Sequence, residues 1–220
     1  MRFLNTLATA GLAGAAALAL ASQAQAATVV YNLTDDHCTG TCGGLASYGT
    51  VSVTGSGTTS MSFSVDLASG VFFNPNGNGL DTFSWDLVNN PLIAISGVTS
   101  GFAATTPQSA GSNHEDGFGN WDYIVNITSS SSTLQHLAFT VAGSGANAGA
   151  TLTLDNNFVD NQHIFAAVDI IGKNGNTGVV GATLAGGVPE PATWGMMLVG
   201  FGGLGAMMRR RRAMTAVATA

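Results

Sequence analysis

Alternation with a period of two is the feature that most limits what this chain can fold into. Met61, Phe63, Val65 and Leu67 alternate with Ser60, Ser62, Ser64 and Asp66. A strand here has one apolar and one polar face, as expected of an outer strand in a sheet with one dry side. The pattern recurs in residues 80–88 around Phe83 and Trp85, and in 91–98 after Asn89 and Asn90. It returns in Trp121, Tyr123, Val125 and Ile127, and in Leu137, Phe139 and Val141. Residues 151–154, 164–171 and 176–184 bring the count to about nine or ten strands. Gly/Asn/Ser-rich breaks fall at 74–79, 100–119, 129–132, 143–149 and 172–175. No segment from 27 to 185 sustains a 3.6-residue apolar period. The central domain is therefore expected to be all-β, an antiparallel β-sandwich of jelly-roll type with no helix of consequence. A closed barrel also fits the pattern, but an outer-membrane barrel does not, because the serine faces are too polar for lipid.

Charge is scarce and segregated. Only 8% of the 220 residues are Asp, Glu, Lys or Arg, against about 25% in ordinary soluble domains. With 30 glycines and long Ser/Thr runs, this composition suits an exported β-rich protein. Arg2, Arg209, Arg210, Arg211 and Arg212 account for five of the six bases. Between residues 27 and 188 one base, Lys173, stands against eleven acids, a net charge of −10. Such a surface repels phosphate backbones and excludes nucleic acid as a partner, leaving cations or neutral glycans.

The two ends read as export and membrane segments. Residues 1–26 form a secretory signal helix, with Arg2, an apolar run over 7–20 and the small-x-small site Ala24-Gln25-Ala26. They imply the secretory translocon, signal peptidase and a mature start at Ala27. Near the other end, Pro189-Glu190-Pro191 leads into residues 192–208, which carry no charge, and Arg209 to Arg212 follow. As a transmembrane helix this run is about 26 Å long, against a hydrocarbon core of about 30 Å. It should stand upright or thin the bilayer. The arginines stay on the cytoplasmic side, so the body of the protein faces the opposite side of the inner membrane. Two prolines keep Glu190 extended and outside helix or sheet, and Trp194 falls at interfacial depth. The expected organisation is signal 1–26, β domain 27–185, tail 186–212 and cytoplasmic extension 213–220.

Pro189, Glu190, Pro191, Trp194, Met196-Met197, the glycine-rich run 200–205 and the arginine cluster resemble, in that order, the PEP-CTERM sorting signal. The sub-class is Pro-Glu-Pro-x-x-Trp-Ala, from which Gly195 departs by one small residue for another. The resemblance covers only the tail. It implies an exosortase substrate of Gram-negative type, held in the inner membrane with its domain in the periplasm and cut near the Pro-Glu-Pro. The mature form would reach the cell surface or extracellular matrix, where many such proteins accompany exopolysaccharide and biofilm.

The β domain offers little enzyme chemistry. Cys38 and Cys42, flanked by glycines, are placed to form a disulfide across a small loop; the alternative is a metal site of both thiolates with His37 and Asp35 or Asp36. Gly-x-Ser-x-Gly, His-Glu-x-x-His and phosphate-loop motifs are absent, and His37, His114, His136 and His163 are dispersed. No catalytic residue is assigned and no cofactor is expected, calcium excepted. A secreted glycoside hydrolase would need two carboxyls at a set separation, which a sequence does not show. Asn74, Asn76, Asn78 and Asp81 place oxygens at intervals suited to calcium, as do residues 155–160 and Glu115-Asp116. The same residue types dominate ordinary turns because they tolerate positive φ. Tyr48, Trp85, Trp121 and Tyr123 could bind carbohydrate if exposed, but three of them lie on apolar faces of alternating strands, which favours core packing. His136, on a polar face, reads as a solvated residue.

Overall fold

The computed structural model describes residues 26–75, 82–130, 133–185 and 201, and the chain divides between Leu184 and Ala185 into two units. The expected signal helix lies outside the described residues, as does the 192–208 span apart from Phe201. Among the described residues no helix is long and apolar enough to cross a membrane.

The first unit is built from short strands: β1 (Thr28–Asp36), β2 (Gly49–Thr54), β3 (Ser60–Leu67), β4 (Phe72–Phe73), β5 (Phe83–Trp85), β6 (Ile93–Ser96), β7 (Phe102–Ala103) and β8 (Asn113–Glu115). After them come β9 (Gly119–Trp121), β10 (Tyr123–Ile127), β11 (His136–Gly143), β12 (Asn157–Val159), β13 (Gln162–Ile164), β14 (Ala166–Ile171) and β15 (Thr177–Leu184). Eleven of them make one antiparallel sheet in the order β6-β11-β3-β2-β1-β15-β14-β5-β10-β7, with β4 also on β14. The fold is all-β and sandwich-like, but its two layers are halves of a single curled sheet continuous through β1 and β15. β3 is accordingly not an outer strand; it pairs with β2 on one edge and β11 on the other.

Curling brings the dry face of β3 and β11 against β5. Phe63 and Phe139 sit opposite each other in register with ring centroids 4.8 Å apart. Trp85 from the other layer lies 5.4 Å from Phe63 and 5.1 Å from Phe139. Burying these large rings together supplies most of the reason for the sheet to fold over itself. The polar face of β3 meets water, where His136 and Asp66, a cross-strand pair, are joined at 2.7 Å.

The free edge of β6 and the part of β10 that β7 leaves unpaired are drawn together by the chain over 104–111. Gln108 exchanges both backbone hydrogen bonds with Ile93, at 2.9 and 2.7 Å. Its side-chain amide bonds the backbone of Ile124 in both directions, and Gly111 N–H donates to the Asp122 carbonyl. One glutamine thus continues the ladder between two strands that do not pair directly.

Two hairpins, β8–β9 and β12–β13, cover the outer face of β14 and β15. Phe118, Trp121, Ile164, Ala167 and Val179 form a second, smaller core there. The β12–β13 turn is made by Asp160 and Asn161, with φ of 48° and 64°, a type I′ geometry that Asp and Asn tolerate. Trp121 was expected on one face with Tyr123. The strand is interrupted at Asp122, whose N–H donates to the Asp86 carboxylate at 2.6 Å instead of to a ladder partner. Trp121 therefore packs in the outer core and Tyr123 in the inner one.

Candidate functional site

Cys38 and Cys42 are joined by a disulfide with Cα atoms 5.4 Å apart, within the usual range. Asp36, at the end of β1, organises the loop. Its carboxylate accepts the N–H of Cys38 at 2.9 Å, the N–H of Cys42 at 3.0 Å and the Tyr48 hydroxyl. Burial pushes this carboxyl up, but the Tyr48 hydroxyl and the two amides outweigh it and hold Asp36 below the ordinary carboxylate range. With both sulfurs bonded to each other, no thiolate is left for the metal site considered from spacing, although Asp36, Cys38 and Cys42 do cluster. The loop seats against Gly172 and Gly178. A Cβ at Gly172 would lie 2.2 Å from the Cys42 carbonyl oxygen, and one at Gly178 would lie 2.6 Å from Cys38 Cα.

His37 packs on Phe118 at 4.4 Å and lies between two carboxylates, 3.6 Å from Asp35 and 3.4 Å from Asp160. Burial raises the pKa of Asp35, and the His37 charge opposes it. A second group of acids surrounds Asp86, whose pKa burial pushes up to about 6, offset in part by the Asp122 amide and reinforced by the charges of Asp122 and Asp155. A third lies on the outer face of β14. Asp169, only 1% exposed, accepts a 3.0 Å hydrogen bond from the Asn74 amide. Burial pushes Asp169 up to about 7 against that bond, and the Asp116 charge adds to the rise. Glu115, fully buried, accepts a 2.6 Å bond from Ser84.

The aromatic residues weighed as glycan contacts are core residues: Tyr48, Trp85, Trp121 and Tyr123 are all buried. Phe158 is instead the exposed ring of the domain, at 64%, beside His163 at 5.0 Å on β12–β13. Shallow clefts flank that hairpin. One, of about 290 Å³, is lined by Gln162, His163, Phe165, Thr183 and Leu184; another, of about 270 Å³, runs along 117–120 and 157–159.

Of the calcium candidates, Asn74 is placed, buried against Asp169, while Asn76, Asn78 and Asp81 lie outside the described residues. Ala26 and Ala27 precede β1; Ala24, Pro189, Glu190, Pro191, Trp194, Arg209, Arg210, Arg211 and Arg212 lie outside the described residues. Asp86 and Asp169 were not singled out from sequence. The signal for Asp169 was present, since a lone acid in Ala166-Ala-Val-Asp-Ile-Ile171 interrupts a run buried on both faces.

Comparison with known families places one match on this chain, over residues 187–212, described as the PEP-CTERM protein-sorting motif. The chain carries a PEP-CTERM sorting motif. No curated protein and no solved structure matches the chain. The PEP-CTERM motif takes in the Pro-Glu-Pro tripeptide, Trp194, the uncharged run and all four tail arginines. It marks an exported protein sorted by an exosortase, passing through a membrane-anchored precursor on its way to the cell surface. The PEP-CTERM match does not extend into the β domain.

Proposed function

We propose that this is a non-catalytic surface or extracellular-matrix protein, cut by the exosortase beside Glu190 and associated with exopolysaccharide in a biofilm. The observation that carries the reading is the sorting motif over residues 187–212. The precursor enters through the secretory translocon, loses its signal helix to signal peptidase after Ala26, and is held by a transmembrane helix over 192–208. Its jelly-roll-like domain stands in the periplasm. Arg209 to Arg212 keep the tail from being pulled through the bilayer. Glu190, fixed in an extended conformation by Pro189 and Pro191, is the charge that the enzyme reads. An acidic domain with almost no cation of its own suits a matrix of neutral polysaccharide better than one of nucleic acid.

A second reading, a carbohydrate- or calcium-binding module, draws support from the exposed Phe158 beside His163 and from the Asn74–Asp169 pair. A hydrolase reading has no comparable support. The test is fractionation of cells producing the full chain or its Glu190→Ala variant. Wild type should leave the inner membrane and the variant should accumulate there as precursor; identical partitioning would contradict exosortase recognition of Glu190.

A further inference from the structure

Phe158 is the large ring that the β domain leaves in water, at 64% exposure, and it is held in place. It stands opposite His163 in the β12–β13 pairing, with ring centroids 5.0 Å apart. His163 is fixed in turn, its Nδ1 lying 2.6 Å from the Asn156 side-chain oxygen. The two rings make a ridge on the hairpin. A single exposed ring is ordinary on a protein surface; one buttressed between two clefts is not.

On the Phe158 side the cleft has a glycine floor. A Cβ at Gly117 would fall 2.1 Å from His37 Nδ1, whereas one at Gly119 would meet nothing within 4 Å, so the backbone rests on His37 and the space above Gly119 is open. Asn157 Nδ2 donates to the Asn120 carbonyl at 3.0 Å, joining the two walls. That bond leaves the Asn157 side-chain oxygen and the Asn120 side-chain amide for a ligand. On the other side His163, Phe165 and Leu184 give a more apolar wall. The clefts, of about 270 and 290 Å³, are each at the lower limit for a compact ligand, about 300 Å³. An occupant that uses both must cross the ridge and be extended. Charge narrows its chemistry. Lys173, the lone Lys or Arg among the described residues, lies beside Gly43 and Gly70 and lines neither cleft. Asp116 and Asp160, both exposed, adjoin Gly117 and Val159 in the chain and repel anions. Amides without a base match hydroxyl groups, and a ring face beside an apolar wall matches the C–H face of a pyranose.

We propose that the Phe158–His163 ridge binds the chain of a neutral polysaccharide, one sugar ring stacking on Phe158 with its hydroxyls on Asn120 and Asn157, and a following ring lying against His163 and Leu184. The site does not depend on the sorting motif. It rests on the carbohydrate-binding reading above and deepens it, placing the site on β12–β13 and naming an uncharged chain as the ligand. Because both clefts are shallow, affinity comes from successive sugars along the chain rather than from enclosing one.

The experiment is calorimetric titration of the full chain, in a polyoxyethylene detergent that carries no sugar, with cellohexaose, laminarihexaose and mannohexaose. The corresponding disaccharides and hexagalacturonate, an anionic chain, are the comparison ligands. At least one neutral hexaose should bind, its disaccharide about tenfold more weakly, and hexagalacturonate should not bind. Phe158→Ala should weaken the hexaose about tenfold or more, Phe158→Trp should retain binding, and Asn120→Ala should weaken it several-fold. Each variant should keep its Tm within about 2 °C of wild type, which separates loss of the site from loss of the fold. Failure of every neutral hexaose to bind would overturn the site and the carbohydrate reading together. Hexaose binding unchanged in both Phe158→Ala and Asn120→Ala would overturn this site while leaving a carbohydrate-binding module, with its site elsewhere. A preference for hexagalacturonate would overturn the ligand class. Should Phe158→Ala fail to fold, the Asn120→Ala affinity decides.

Discussion

Gln108 and Ile124 are hydrogen-bonded twice, side-chain amide against backbone. Nε2 donates to the Ile124 carbonyl at 3.3 Å and Oε1 accepts the Ile124 N–H at 3.1 Å. Gln108 is buried, so removing the amide strands both groups away from water. Gln108→Leu should destabilise the domain by about 2–4 kcal/mol, and Gln108→Glu by at least as much at neutral pH, because it sets an unpaired carboxylate oxygen against the Ile124 carbonyl. Urea unfolding followed by tryptophan fluorescence measures both; a midpoint unmoved in Gln108→Leu would mean that the sheet does not need this closure.

This closure also shows where the sequence stops being readable. Residues 100–119 read as a Gly/Ser-rich break, and the ladder made there by Gln108 runs through a side chain, which has no periodic signature. The same stretch hides β7 and β8, two and three residues long. Strands that alternate over many residues, such as β3 and β11, are legible because one face has to be apolar. β1 has a weaker signature, since Val29, Tyr31 and Leu33 alternate with Val30, Asn32 and Thr34, and Val30 blurs the polar face directly after the apolar export signal. The burial of Asp86 and Asp169 was not legible, because it depends on hairpins packing over the sheet. The tail was readable as a linear motif because its recognition needs order and spacing rather than tertiary contacts.

Phe63 marks the inner core. It touches Phe83, Trp85 and Phe139, all buried, with its centroid 6.0 Å from that of Phe83. Phe63→Ala should cost about 3–5 kcal/mol in denaturant unfolding. Phe158→Ala, at the exposed position, should change stability by less than about 0.5 kcal/mol. Equal losses at the two sites would contradict the assignment of inside and outside.

Around the disulfide, the short loop limits what the bond alone supplies. Replacing both Cys38 and Cys42 by Ser should lower stability by about 2 kcal/mol on loop-closure grounds. Gly172→Ala should cost at least as much, because the added Cβ would meet the Cys42 carbonyl oxygen at 2.2 Å and displace the loop. Equilibrium unfolding of both variants is the measurement. A fully stable Gly172→Ala would show that the loop does not sit where it is described.

Acidity should stabilise the domain, because two of its carboxyls are buried without a counter-charge. Burial raises the pKa of Asp86 to about 6 and that of Asp169 to about 7, above the 3.8 of an ordinary aspartate. A carboxyl raised in the folded state contributes stability that is fully present below about pH 3.8 and lost as pH rises through its folded pKa. Tm should therefore fall between about pH 4 and pH 7, and Asp86→Asn and Asp169→Asn should each flatten part of that slope. Asp36, held low, works in the opposite direction at the acid end. A Tm that climbs steadily from pH 4 to 7 would contradict the burial of these two carboxyls.

The central claim, that the tail is a processing signal, is tested most directly by intact-mass spectrometry of the mature protein from cells with and without the exosortase. With the enzyme, the mature chain should begin at Ala27 and lack Trp194 and everything after it. Without the enzyme, the chain should keep Trp194 through Arg212. Mature protein that retains Trp194 to Arg212 in cells containing the enzyme would contradict the account.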